Sequence, residues 1–184
     1  MRILHTSDWH LGQNFMGKTR VEEHSTFLNW LLKIIKEKNI QVLLVSGDIF
    51  DTGTPPNYAL ELYYNFLKEL ANIKTLKNTI ITAGNHDSIS TLKAPKQLLE
   101  VLNVNVITTG DEDENIIIPI KQDDSIEAIV CAVPFLRDSV IRQANSAQTI
   151  SQKEQIANSV IKAYYEIAYK KAKEIEQNVP IVAM

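Results

Sequence analysis

The chain has 184 residues, with 19 basic and 22 acidic side chains leaving a formal charge of −3. That length supports an apolar core without cross-links, and the single cysteine, Cys131, excludes an internal disulfide and a thiolate metal cluster. The charge argues against a chain coated in basic residues, though not against a local basic patch.

The N-terminus, Met1-Arg-Ile-Leu-His-Thr-Ser-Asp8, turns polar too early for a secretory leader. Apolar runs such as Val42–Val45 are far too short to cross a bilayer. A cytoplasmic protein without a membrane role is expected.

In chain order, Arg2–Thr6 predicts a strand, followed by a polar loop through Gly12 and Gly17. Val21–Lys38 predicts a helix, because Phe27, Leu28, Leu31, Leu32, Ile34 and Ile35 recur at three- and four-residue spacing, and Asn39 is a stop. Gln41–Ser46 predicts a buried strand. Thr52-Gly-Thr-Pro-Pro56 reads as a loop, with Asn57 capping a helix from Tyr58 to about Asn72. Thr79–Thr82 predicts a strand, Lys93–Leu102 a helix and Val104–Ile107 a strand. This alternation predicts an α/β fold with parallel strands over the first hundred residues.

The rhythm changes after Gly110. Asn115–Ile120 and Ile126–Val133 predict a hairpin across the turn Lys121–Ser125, and Gln148–Gln177 a long helix. Pro180 breaks that helix before a strand at Ile181–Met184. With no repeat or linker in view, one domain is expected.

The chemistry falls at strand ends. Asp8-Trp9-His10 follows the first strand, Gly47-Asp48-Ile49-Phe50-Asp51 the second and Gly84-Asn85-His86-Asp87 the third. Open parallel sheets bind ligands at the carboxyl ends of their strands. On an extended chain Asp8 and His10 point the same way and can grip one ion. Asp48 has two oxygens and can bridge two cations, and Asn85 offers a neutral carbonyl oxygen. Asp51 is a candidate support for Asp48. Oxygen and imidazole ligands without sulfur suit manganese, iron or zinc. Two such ions about 3.5–4 Å apart lower the pKa of water and stabilise pentavalent phosphorus. His86, with an unperturbed pKa of about 6.5, fits a proton donor, and Asp87 beside it could orient or acidify its surroundings. Each triplet alone is weak, since Asn and Asp favour turns for local reasons. The three in this order point to a metal-dependent phosphoesterase.

These motifs resemble those of the calcineurin-like metallophosphoesterases. The surrounding words His5-Thr-Ser-Asp-Trp-His-Leu-Gly-Gln-Asn14, Gly47-Asp-Ile-Phe-Asp-Thr-Gly-Thr-Pro-Pro56, Ala83-Gly-Asn-His-Asp-Ser88 and Val133-Pro-Phe-Leu-Arg137 resemble the branch of bacterial double-strand-break repair nucleases. The resemblance implies an α/β sandwich of mixed β-sheets flanked by helices. It further implies two divalent ions, manganese first among them, and DNA as substrate. Its implied partners are a coiled-coil ATPase and a second copy of the full-length subunit. By motif, Asp8 and His10 would bind the first metal, Asp48 would bridge both and Asn85 would bind the second. His86 would protonate the leaving 3′ oxygen or steady the phosphate.

The family pattern continues with Gly-His and Gly-His-x-His elements that this sequence lacks. Residues 1–184 are therefore expected to be the N-terminal part of such a domain, incomplete at the C-terminus, without cap and partner-binding regions. Weak metal binding and little activity are expected of it alone.

Lys18, Arg20, Arg137 and Arg142 are candidate DNA phosphate contacts. Residues 111–127 carry seven acids and one base, so that segment accounts for the whole negative balance and reads as a solvated hairpin region. His5 is expected to be packed and hydrogen-bonded, His24 solvated or capping, and Cys131 inert. Trp9 is open to packing under the site or to stacking on a base. Trp30, Phe66, Tyr164, Tyr165 and Tyr169 are expected in core or interface. Other readings are a phosphatase or small-molecule phosphodiesterase with the same metal site, and a non-catalytic interaction module.

Overall fold

The computed structural model describes residues 1–109, 115–137 and 150–184. The chain divides into two compact units, Met1–Thr108 and Thr109–Met184.

In the first unit, strand β1 (Ile3–Ser7) leads into a small antiparallel hairpin, β2 (Asn14–Phe15) and β3 (Lys18–Thr19). The sequence predicts only a polar loop here. Met16 and Gly17 both have positive φ, 47° and 77°, which is what a two-residue hairpin turn needs. Met-Gly lacks the Asn-Gly signature by which such turns are read.

Helix α1 (Val21–Glu37) buries Leu28, Leu31, Leu32 and Ile35 along one stripe. It ends as a Schellman motif. Asn39 takes φ 50°, its N–H donates to the Lys36 carbonyl, and Ile40 N–H donates to the Ile35 carbonyl. Ile40 and Ile35 are both buried, supplying the apolar contact that accompanies the motif. Strand β4 (Val42–Ser46) is buried along its first four residues, the continuous apolar run typical of a parallel strand.

Helix α2 (Asn57–Ala71) follows, and here the expected cap is corrected. Pro56 is the N-cap, with extended backbone and no side-chain cap bond, and Asn57 is the first helical residue. Proline's fixed φ and missing N–H suit a helix entrance. α2 buries Tyr63, Phe66, Leu67 and Leu70 at helical spacing.

Strand β5 (Asn78–Thr82) is followed by two short helices, α3 (Ile89–Lys93) and α4 (Lys96–Val101), instead of the single predicted helix. Pro95 lies between them, where its ring and missing N–H interrupt the helical ladder. Strand β6 (Val104–Ile107) completes a parallel sheet of order β1-β4-β5-β6. One apolar cluster joins α1 and α2 to Leu43, Val45, Ile81, Val104 and Val106 of the sheet. Each such side chain, fully buried, contributes about 1.5–3 kcal/mol.

In the second unit, β7 (Ile117–Gln122) and β8 (Ser125–Cys131) form the expected hairpin, with a shorter turn at Asp123 and Asp124. Helix α5 (Ile150–Ile175) leads to β9 (Ile181–Ala183), which pairs parallel to β8. This second sheet is mixed. Cys131 is buried against α5, its Sγ 3.8 Å from the Ala168 carbonyl, and burial pushes the thiol up, as an inert cysteine requires. The start of the predicted last helix and the acids Asp111–Glu114 lie outside the described residues. Among the described residues no helix is long and apolar enough to cross a membrane.

Candidate metal centre

Ser7, Ser46 and Thr82 are register partners across β1, β4 and β5, so three loops leave the same sheet edge at one level. The first two continue to pair beyond their strands. Asp8 N–H donates to the Gly47 carbonyl (3.2 Å), His10 N–H to that of Asp48 (2.9 Å) and Leu11 N–H to that of Ile49 (2.9 Å).

The backbone is not extended at Asp8 and His10, contrary to the geometry on which their shared direction was expected. Asp8, His10 and Asp48 all lie in the left-handed region, at φ 54°, 47° and 50°. For L-residues this costs about 1–2 kcal/mol each. Strain is thus concentrated on three predicted ligands and sustained by the surrounding backbone bonds. The three side chains converge all the same: one ligand atom from each lies within 4.8 Å of the others. Two carboxylates and an imidazole so placed fit a divalent ion.

Asp51 stands against the imidazoles. Its Oδ1 lies 3.2 Å from His10 Nδ1, at hydrogen-bond distance without hydrogen-bond alignment. His10 Nδ1 is buried, while Nε2 lies 3.8 Å from Asp48 Oδ2. A carboxylate behind one ring nitrogen is the usual support of a metal-binding histidine. His86 Nδ1 is 2.8 Å from the Asp51 backbone carbonyl. A carbonyl only accepts, so Nδ1 carries the proton and Nε2 is the nitrogen left to act. That hydrogen bond holds the His86 pKa above its ordinary value, with partial desolvation opposing it and the Asp48, Asp51 and Asp87 carboxylates adding to it. The His10 and His86 rings meet edge to face at 5.0 Å.

Asp87 binds backbone as well as adding to the field at His86. It is 2% exposed and accepts from three backbone amides: Gly84 (2.8 Å), Phe50 (2.9 Å) and Ile49 (3.2 Å). Burial raises its pKa and the amide bonds oppose the rise. It ties the second motif loop to the third. Asn85 is exposed between Gly84 and His86, on the loop beside the Asp8–His10–Asp48 group.

Lys18 is exposed on β3, while Arg20 is engaged with Gln13 Oε1 (2.9 Å) and approaches Glu23 (3.9 Å). Arg137 belongs to the second unit and is half-buried; Arg142 lies outside the described residues. Trp9 packs beneath the loop, 5% exposed, edge-on to Phe66 and Phe27, with Nε1 donating to Thr6 Oγ1. Of the other aromatics, Phe66 is core, whereas Trp30, Tyr165 and Tyr169 are exposed.

Two histidines differ from expectation. His5 is exposed, though its Nε2 is bonded to Ser46 Oγ at 2.8 Å. His24 is buried, not solvated, because the first turns of α1 face the core; its pKa is lowered first by desolvation and then by Arg20. The linking role of Asp51 had no distinct signal in the sequence, because half of it is performed by a backbone carbonyl.

The calcineurin-like phosphoesterase family model matches residues 1–139. The chain belongs to that family, whose chemistry requires divalent metal ions. It is similar to the SbcD subunit of the nuclease SbcCD from Escherichia coli (strain K12), 39% identical across the whole chain and 45% of that protein. The same subunit of Rhodobacter capsulatus is 38% identical over 76% of this chain and 36% of its own length. That of Bacillus subtilis is 37% identical over 58% and 27% respectively. The chain thus spans less than half the length of these relatives.

Proposed function

We propose that the chain forms the front of the catalytic domain of a metal-dependent DNA nuclease subunit resembling SbcD. The convergence of Asp8, His10 and Asp48 beside a tautomer-fixed His86 carries this reading. Asp8, His10 and Asp48 would hold one divalent ion, and Asp48 and Asn85 would contribute to a second, with manganese as the proposed metal. Bound ions supply charge stabilisation at phosphorus and a nucleophile at neutral pH. His86, anchored through Nδ1, presents Nε2 to the leaving 3′ oxygen and gives it a proton. Asp51 holds the His86 imidazole through its backbone carbonyl and sets its carboxylate beside His10 Nδ1, and Asp87 holds the loops. Lys18, Arg20, Arg137 and Arg142 are the proposed contacts to DNA phosphates.

With an SbcC-like coiled-coil ATPase, the full-length cytoplasmic protein acts as an ATP-dependent double-strand exonuclease and a single-strand and hairpin endonuclease. It serves DNA repair, recombination and replication. A homodimer of the full-length protein is part of the proposal, and exposed Leu98, Val101 and Leu102 offer it apolar surface.

The test uses the full-length protein with its ATPase partner, Mn²⁺, and linear, hairpin, phosphomonoester and cyclic-nucleotide substrates. Cleavage of DNA, reduced about 10²–10⁴-fold by His86→Ala, is expected. Hydrolysis confined to the phosphomonoester or the cyclic nucleotide would replace the nuclease reading.

A further inference from the structure

The second and third motif loops cross at two glycines. A Cβ built on Gly47 would stand 2.9 Å from Gly84 Cα, closer than real side chains approach. A Cβ built on Gly84 would overlap Asp48 at its Oδ1 and its backbone nitrogen, and would lie 2.7 Å from its Cγ. The two positions differ in kind. Gly47 has φ 72°, so a side chain there is strained whatever the space. Gly84 lies outside the positive-φ region, so φ raises no barrier to alanine there, and the three atoms nearest its built Cβ all belong to Asp48. Rotating the Asp48 side chain would not relieve the overlap, because the backbone nitrogen is also in the way.

The crossing also fixes which carboxylate oxygen faces which neighbour. Asp48 Oδ1 accepts from His86 N–H at 3.0 Å, on the Gly84 side. Oδ2 faces His10 Nε2. Asp87 draws the loops together through Gly84, Ile49 and Phe50 N–H, and the glycines permit the approach.

We infer that Gly84 is the positioning residue for Asp48: the Gly47–Gly84 crossing sets the Asp48 carboxylate before any ion binds. The inference rests on the metal-centre reading above. Asp48 is thereby aimed by protein packing rather than by the metal, so the ion meets a formed ligand.

The test is Mn²⁺ titration of the 184-residue chain by electron paramagnetic resonance, with far-UV circular dichroism as the folding control. Gly84→Ala is expected to keep the helical spectrum and weaken Mn²⁺ binding at least tenfold. Gly53→Ala, whose new methyl would meet only Ser88 Cβ and the His86 carbonyl at 3.8 and 3.9 Å, is expected to stay within twofold of wild type. A folded Gly84→Ala chain that binds as wild type does overturns the inference alone. Wild type without Mn²⁺ binding at millimolar metal overturns the metal-centre reading for this chain and the inference with it. Should Gly84→Ala fail to fold, hydrogen exchange on the wild type decides. His86 N–H protected without metal supports the inference; protection only after Mg²⁺ addition overturns it.

Discussion

At the residue scale, burial decides what each histidine contributes. His24 is enclosed by α1 and its imidazole prefers the neutral form, so its folded pKa lies below 6.5. The unfolded chain therefore takes up the proton first as pH falls. The stability His24 contributes is complete above the unfolded value and is lost as pH drops through the folded one. Urea midpoints at pH 7.5 and 5.5 should show wild type losing more stability than His24→Gln. An equal loss in the two proteins would remove His24 as a source of the pH dependence. His86 works in the opposite sense, its pKa being raised, so only the comparison with the variant isolates His24. Neither shift is legible in the sequence. Residue type places an imidazole on a helix or loop, but whether it is covered depends on chain segments distant in sequence. Asp87 shows the same limit: its neighbour His86 suggests an electrostatic influence, but the three backbone amides that its carboxylate accepts from have no signal in the sequence.

Elements with strong periodicity are legible to within a residue or two. The stripe Leu28, Leu31, Leu32 and Ile35 defines α1, and Val104–Ile107 matches β6. Misreadings gather where local backbone chemistry decides. Pro56 rather than Asn57 opens α2, Pro95 divides α3 from α4, and Met16-Gly17 closes a hairpin without the usual turn residues. The Schellman end of α1 is read correctly because Asn is tolerant of the left-handed conformation. That tolerance sets a graded expectation at position 39. Asn39→Gly should be neutral or slightly stabilising, since glycine adopts φ 50° freely. Asn39→Val should cost about 1–2 kcal/mol, through β-branched strain in the same conformation. Thermal or urea unfolding of both variants checks the order, and a Val variant as stable as Gly would contradict it.

For the whole molecule, the parallel sheet and its motif edge follow from the sequence rhythm, because alternating strands and helices leave few topologies. The division into two compact units at Thr108 lies close to where the rhythm changes and the acidic segment begins, but with no linker or repeat to mark it the sequence reads as one domain. The net charge of −3 is equally silent about DNA, whose phosphates respond to local basic groups. Lys18 is exposed on the hairpin that follows the first motif. In the full-length protein, Lys18→Ala should weaken DNA binding uniformly across sequences and lower the salt slope by about 1. Anisotropy titrations at several salt concentrations measure this, and an unchanged slope would exclude Lys18 from phosphate contact. The Asp87 bonds carry a consequence for biosynthesis. They join residues 37 and 38 positions apart, across strands that must first find their register. A growing chain therefore presents Asp8 and His10 long before Asp48 is locked against the third loop. Until residue 87 has been added, no Asp87 carboxylate is present to tie the second motif loop to the third, so the joined loops are a late product of chain growth.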